Sequence, residues 1–138
     1  MRTRDMVLVI PCSGVGKVHG LISRESAYLV TDELAPEDTD VVCLALLVRE
    51  DEETLAKVRA CPCITIDGCA KACAQRNVEI AGGQVAKAFQ VAKALGSHRG
   101  IQPGTGSDLT EEGWAVSREI AEAVAEDAVR LCQGEEVA

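Results

Sequence analysis

Aromatic residues are scarce: Tyr28, Phe89 and Trp114 are the only three in 138 positions. An aromatic core is therefore excluded, and Val, Leu, Ile and Ala must fill the interior. Such a core suits helices packed on a sheet whose strands are buried on both faces. Basic stretches are missing too, and the formal charge is −8. A nucleic-acid binder needs cations to displace the counterions around phosphates, so that partner class is excluded, and an anionic membrane surface is disfavoured for the same reason. The longest apolar run, residues 41–48, is less than about half of what a bilayer span needs. Residues 6–10 are apolar but end at Pro11 without a small-residue cleavage site, which does not read as a signal peptide. Histidine is limited to His19 and His98, each in a polar or Gly-rich stretch that reads as surface. The expectation is a soluble, cytoplasmic chain with neither a nucleic-acid nor a membrane partner.

Against these absences, 47% of the residues are hydrophobic, enough to bury a core of ordinary size for one domain spanning residues 1–138. The acidic residues cluster at 50–53 and 111–127, which read as solvated helix faces. The chain also carries seven cysteines. The number is odd and no export signal is recognised, so a disulfide framework explains them poorly. In a reducing compartment the same density points to metal binding or thiol chemistry.

Residues 6–10 form a continuous apolar, β-branched run and read as a buried first strand, followed by Pro11-Cys12-Ser13-Gly14. Leu21, Ile22, Leu29 and Val30 suggest a helix to about Glu33, and residues 34–39 a loop. Asp40-Val41-Val42-Cys43 opens the second apolar run. That run is either one strand to Val48 or a short strand ending at Val42 with a helix from about Leu44. Residues 50–60 are helical in composition, Ile64-Thr65-Ile66 is a third strand ended by Asp67-Gly68, and 70–77 is a short helix. Residues 85–92 fit helix or strand, and the alternating βαβ order favours a strand. Residues 96–106 form a loop. Asp108 and Glu111 form a capping box for a last helix at about 109–132, along which Trp114 is a packing anchor. The expected architecture is a Rossmann-like, three-layer α/β sandwich with a small, mostly parallel sheet of about four strands.

In such sheets ligands bind outside the carboxyl ends of the strands. Cys12 and Cys69 each follow an apolar strand and precede a helix, so they reach one common edge although far apart in sequence. If the turn after Gly68 opens a helix, Cys69 and Cys73 stack one turn apart, close enough to share a tetrahedral ion with Zn–S bonds of about 2.3 Å. The same helix N-terminus would favour the Cys69 thiolate.

Ile66-Asp67-Gly68-Cys69, with Cys73 after three intervening residues, resembles the signature of the DGC family, named for its Asp-Gly-Cys tripeptide. The resemblance takes in Pro11-Cys12-Ser13-Gly14 and Val42-Cys43-Leu44-Ala45, and spans roughly residues 6–95. It implies a zinc site, proposed for that family, with Cys12, Cys43, Cys69 and Cys73 as the thiolate set. If Cys43 is a ligand it lies at a strand's carboxyl end, so the second strand stops near Val42. Cys61 and Cys63 flank Pro62 at the amino end of the third strand. Such a pair is able to bind a soft metal or form a strained disulfide, but reads more simply as two apolar fillers. Cys132 reads as a buried residue of the last helix.

An alternative function is a thiol-dependent enzyme, in sulfur transfer or redox chemistry, using Cys12 or Cys69. The stretch from Cys12 to Gly20 resembles an anion-binding loop with a nucleophile at its start. A phosphatase-type loop would carry Arg where Val18 stands, and Gly16-Lys17 lacks the spacing of a nucleotide-binding P-loop. Asp67 would serve as acid or base, or more simply as a cap on the following helix. A third possibility is a regulatory module sensing metal or thiol status. The implied partners are a metal ion and a small or anionic ligand; no partner protein is identified.

Overall fold

The computed structural model describes residues 6–12, 16–135 and 137. In chain order they form β1 (Val7–Pro11), α1 (Val18–Leu29) with a π-helical turn at Val30–Leu34, β2 (Thr39–Val41), α2 (Leu44–Val48), α3 (Glu52–Ala60) and β3 (Pro62–Asp67). There follow α4 (Cys73–Ile80), β4 (Gln84–Gln90), α5 (Val91–Gly96) and α6 (Glu111–Cys132). The described strands form one all-parallel sheet in the order β2-β1-β3-β4.

The apolar run of β1 is buried on both faces, as its lack of alternation requires. Val7 and Val9 join Ile64 and Ile66 of β3 under α1, α5 and α6, where Ile22, Val91, Ile120 and Val124 are buried. Leu8 and Ile10 join Cys63 on the other face, under Leu44 and Leu47 of α2, Val58 of α3, and Ala74 and Val78 of α4. The result is helix on sheet on helix. Among the described residues no helix is long and apolar enough to cross a membrane.

The ambiguous segments resolve toward the short strand at 39–41 and the strand at 84–90. Four details differ from the sequence expectations. The helix α5 has no separate periodic signature, being one and a half turns long. The α6 cap is Thr110, whose Oγ1 accepts the Gly113 N–H at 3.2 Å, and not Asp108. Asp108 is instead held in a turn with Thr105: its carbonyl accepts the Thr105 N–H and its N–H reaches Thr105 Oγ1. Trp114 is 43% exposed and is not an anchor. The inner side of the first turn of α6 is covered by the backbone at Pro103, so close that a Cβ on Gly113 would lie 2.1 Å from the Pro103 carbonyl oxygen. Finally, α4 starts at Cys73 and not at Ala70, with consequences for the cysteines.

The strand order places a reversal between β1 and β3. From β1 the chain moves outward to β2, and from β3 it moves outward on the opposite side to β4. The crevice beyond the carboxyl ends of β1 and β3 is thus the switch point where open α/β sheets hold ligands.

Candidate functional site at the switch point

Cys12 is the first residue after β1. Its N–H is shared between the Ile66 carbonyl at 2.9 Å and Ser23 Oγ at 3.2 Å, and the Ser23 hydroxyl donates in turn to Ile66 O. This clamp joins β1, β3 and α1 just below the sulfur. Cys12 Sγ accepts the Gly68 N–H at 3.2 Å, and the residue is 8% exposed.

Gly68 follows β3 and admits no side chain without a shift. A Cβ there would stand 3.1 Å from His19 Cβ, 3.3 Å from the His19 carbonyl carbon and 3.5 Å from Cys12 Sγ. The missing side chain lets His19, on the first turn of α1, close onto the same point as Cys12. The Gly68 carbonyl accepts the Ala92 N–H and so ties the start of α5 to this turn.

Cys69 and Cys73 do not share a helix. The Ala72 N–H bonds to the Cys69 carbonyl, and Ala72 itself adopts the left-handed conformation (φ 52°, ψ 49°), which breaks the helical path. The cap of α4 comes from further back. Asp67 accepts the Ala74 N–H at 2.7 Å and the Gln75 N–H at 3.1 Å, one on each carboxylate oxygen. Burial pushes the Asp67 carboxyl above its ordinary pKa, partly offset by those two bonds. Asp67 is therefore the capping residue of the simpler sequence reading.

Cys12, Cys69, Cys73 and His19 nevertheless line one cavity of about 450 Å³, with Lys17 and Leu44 also on its wall. Cys69 and Cys73 are exposed. Cys43 is where a short β2 puts it, at the sheet's carboxyl edge and directly before α2. It lines an adjoining cavity of about 300 Å³ together with Arg24 and Tyr28. Cys12 and Leu44 border both cavities. The donor set is chemically suited to a soft divalent ion such as zinc. Among the described residues, no three His, Cys, Asp or Glu side chains stand grouped as a ready metal site, so uptake of an ion would need the exposed thiols to draw in.

His19 is the residue that sequence reasoning placed on the surface. Its Gly-flanked polar context hides that it sits opposite the end of β3. Of the stretch from Cys12 to Gly20 read as an anion-binding loop, Cys12, Lys17, His19 and Gly20 line this cavity, and Ser13, Gly14 and Val15 lie outside the described residues. Cys63 and Cys61 lie at the amino end of β3, away from this edge. Cys63 is fully buried against Leu8, Ile10 and Val58, and burial followed by the charge of Cys61 pushes its pKa up to about 12. Cys132 is half-buried, with its Sγ 3.5 Å from the Asp38 carbonyl. His98 is exposed and pairs with Glu119 at 2.7 Å.

No curated protein and no solved structure matches the chain. The family model described as the DGC domain matches residues 8–127, a span that takes in all of β1 but its first residue, the Asp67-Gly68-Cys69 turn, all four cysteines of the edge and most of α6. The chain belongs to the DGC domain family.

Proposed function

We propose that this protein binds zinc through thiolates at the carboxyl edge of its sheet, from the set Cys12, Cys43, Cys69 and Cys73. The observation that carries this reading is the convergence of Cys12, Cys69 and Cys73 on one cavity at the switch point. These three form the centre of the site, and Cys43 is the further thiol on the same edge. A volume of about 450 Å³ exceeds what a bare ion fills and lies within the range of about 300–1,000 Å³ usual for small-molecule sites. A small anionic ligand beside the ion would face Lys17.

A second reading, a thiol-dependent enzyme, is favoured by one observation: the Gly68 N–H is directed at Cys12 Sγ, a bond that strengthens when the acceptor carries charge. Cys12 would then act as acceptor in sulfur transfer. Its thiolate would attack the outer sulfur of a persulfide donor, forming one S–S bond as the donor's breaks, and the donor would leave as a thiolate.

Metal analysis of protein purified without a nickel column separates the two. The expected result is about one zinc per chain, lost in Cys69→Ser and Cys73→Ser. No metal, together with rapid alkylation of Cys12 alone at neutral pH, would replace the first reading by the second.

A further inference from the structure

We propose that Ser23 is a positioning residue of this site: its buried hydroxyl holds the Cys12 sulfur under the Gly68 N–H, so that one thiol of the set stands in place before the others close. The inference rests on the place that both readings above give to Cys12, and its consequence for metal rests on the zinc reading. The bonds form a closed circuit. Ser23 Oγ accepts the Cys12 N–H at 3.2 Å and donates to the Ile66 carbonyl, which accepts the same Cys12 N–H at 2.9 Å. Beyond Ile66 the chain turns back, and the Gly68 N–H meets Cys12 Sγ at 3.2 Å. One hydroxyl of α1 thus touches both arms, the one that carries the sulfur and the one that carries its donor.

Sheet pairing fixes these arms only as far as Pro11 and Ile66, the last pair of the β1–β3 register. Cys12 and Gly68 lie beyond it, where a third element must set their spacing. Ser23 is fully buried, on the same face of α1 as Gly20, Ile22 and Ala27. Alanine would pack there, and a hydroxyl in such a place is costly unless it is bonded. Ser26, one turn along, is as deeply buried, yet among the described residues its hydroxyl has no partner. The helix therefore carries its own comparison: two buried serines, of which one is tied to Cys12. Cys12 is also the thiol a fold can preset, since Cys69 and Cys73 are exposed. Ser23→Ala leaves the Cys12 N–H on the Ile66 carbonyl, so the sheet keeps its register while the tie to α1 is lost.

The test compares Ser23→Ala and Ser26→Ala in the full chain. Amide hydrogen exchange is followed by NMR in the reduced, metal-free protein, and zinc affinity is then measured by competition with a chelating dye. In Ser23→Ala the Gly68 amide should exchange at least about 10-fold faster than in the wild type. The Val42 amide, bonded to Val9 O near the same edge, should be unchanged. Zinc should bind about 10-fold more weakly. Ser26→Ala should match the wild type in both measurements. An unmoved Gly68 amide or an unmoved zinc affinity in Ser23→Ala overturns the inference, as does an equal change in Ser26→Ala. A Ser23→Ala chain without a cooperative thermal transition marks the hydroxyl as a structural requirement and overturns it too. A wild type that takes up no zinc overturns the zinc reading, and the Gly68 amide, read without metal, then decides the role of Ser23 alone.

Discussion

Cys12 and Cys63 are both buried cysteines of strand ends, yet the sheet gives them opposite surroundings. Cys12 borders the switch-point cavity and receives an N–H at its sulfur, whereas Cys63 is buried among aliphatic side chains, donates its thiol to the Val58 and Cys61 carbonyls, and has its pKa pushed up to about 12. Cys63 should stay unlabelled by iodoacetamide in the native protein, and it sets a pH dependence. Above the ordinary value of 9.0 the unfolded chain gives up this proton while the folded chain holds it until about 12. Stability that is fully present below 9.0 therefore falls as pH rises through that window, by at most on the order of 1.4 kcal/mol per pH unit. Urea unfolding at a series of alkaline pH values should show this slope in the wild type and its loss in Cys63→Ala. An equal slope in both would refute it. That Cys61 and Cys63 stand apart from the edge cysteines was legible in the sequence, because they precede the third strand and the others follow one. The place of His19 was not legible, since nothing local to it reveals that a glycine on another strand leaves room for its approach.

At the scale of the element, the start of α4 shows how a remote carboxylate overrides local spacing. Cys69 and Cys73 have the separation of residues one helical turn apart, and the helix expected at 70–77 contains Cys73 and follows directly on Cys69. The left-handed Ala72 and the reach of Asp67 to the Ala74 and Gln75 N–H groups delay the helix to Cys73. Removing the carboxylate would orphan two helix-terminal donors. Asp67→Ala should therefore lower stability by about 1–2 kcal/mol, and Asp67→Asn by less, in denaturant titrations of the metal-free chain. No loss in Asp67→Ala would show that the cap contributes nothing. The strands were easier to read. The unbroken apolar run of β1 and the β-branched residues of β3 announce burial on two faces, and the βαβ order correctly favoured a strand where residues 85–92 fitted helix equally well. The short α5 and the Thr110 cap were missed because each depends on a tertiary neighbour: the Gly68 carbonyl for the first, and the loop carbonyl of Gln102, which accepts the Thr110 hydroxyl, for the second.

For the whole molecule, the two aliphatic clusters above and below the sheet include none of the four edge cysteines. A site carried by a sheet of this kind is an addition to the fold and not its staple. Chelation should therefore leave the far-UV circular dichroism and a cooperative thermal transition in place, and zinc should raise the transition midpoint by mass action. Collapse of the spectrum on chelation would instead mark the metal as a structural requirement.

By itself the sequence determined the layers and the edge. Hydrophobic runs without alternation require a sheet covered on both sides, and cysteines placed just after such runs must emerge at the strands' carboxyl ends. Strand order and side-chain company were decided only in three dimensions. Placing β1 beside β3 sets Cys12 under the Gly68 N–H, and the packing brings His19 to the cavity lined by Cys12, Cys69 and Cys73, with Cys43 on the adjoining one. The physical reason is range. Burial patterns are written along a few neighbouring residues, whereas a site depends on which distant segments share a crevice, and that follows from the packing of the whole sheet.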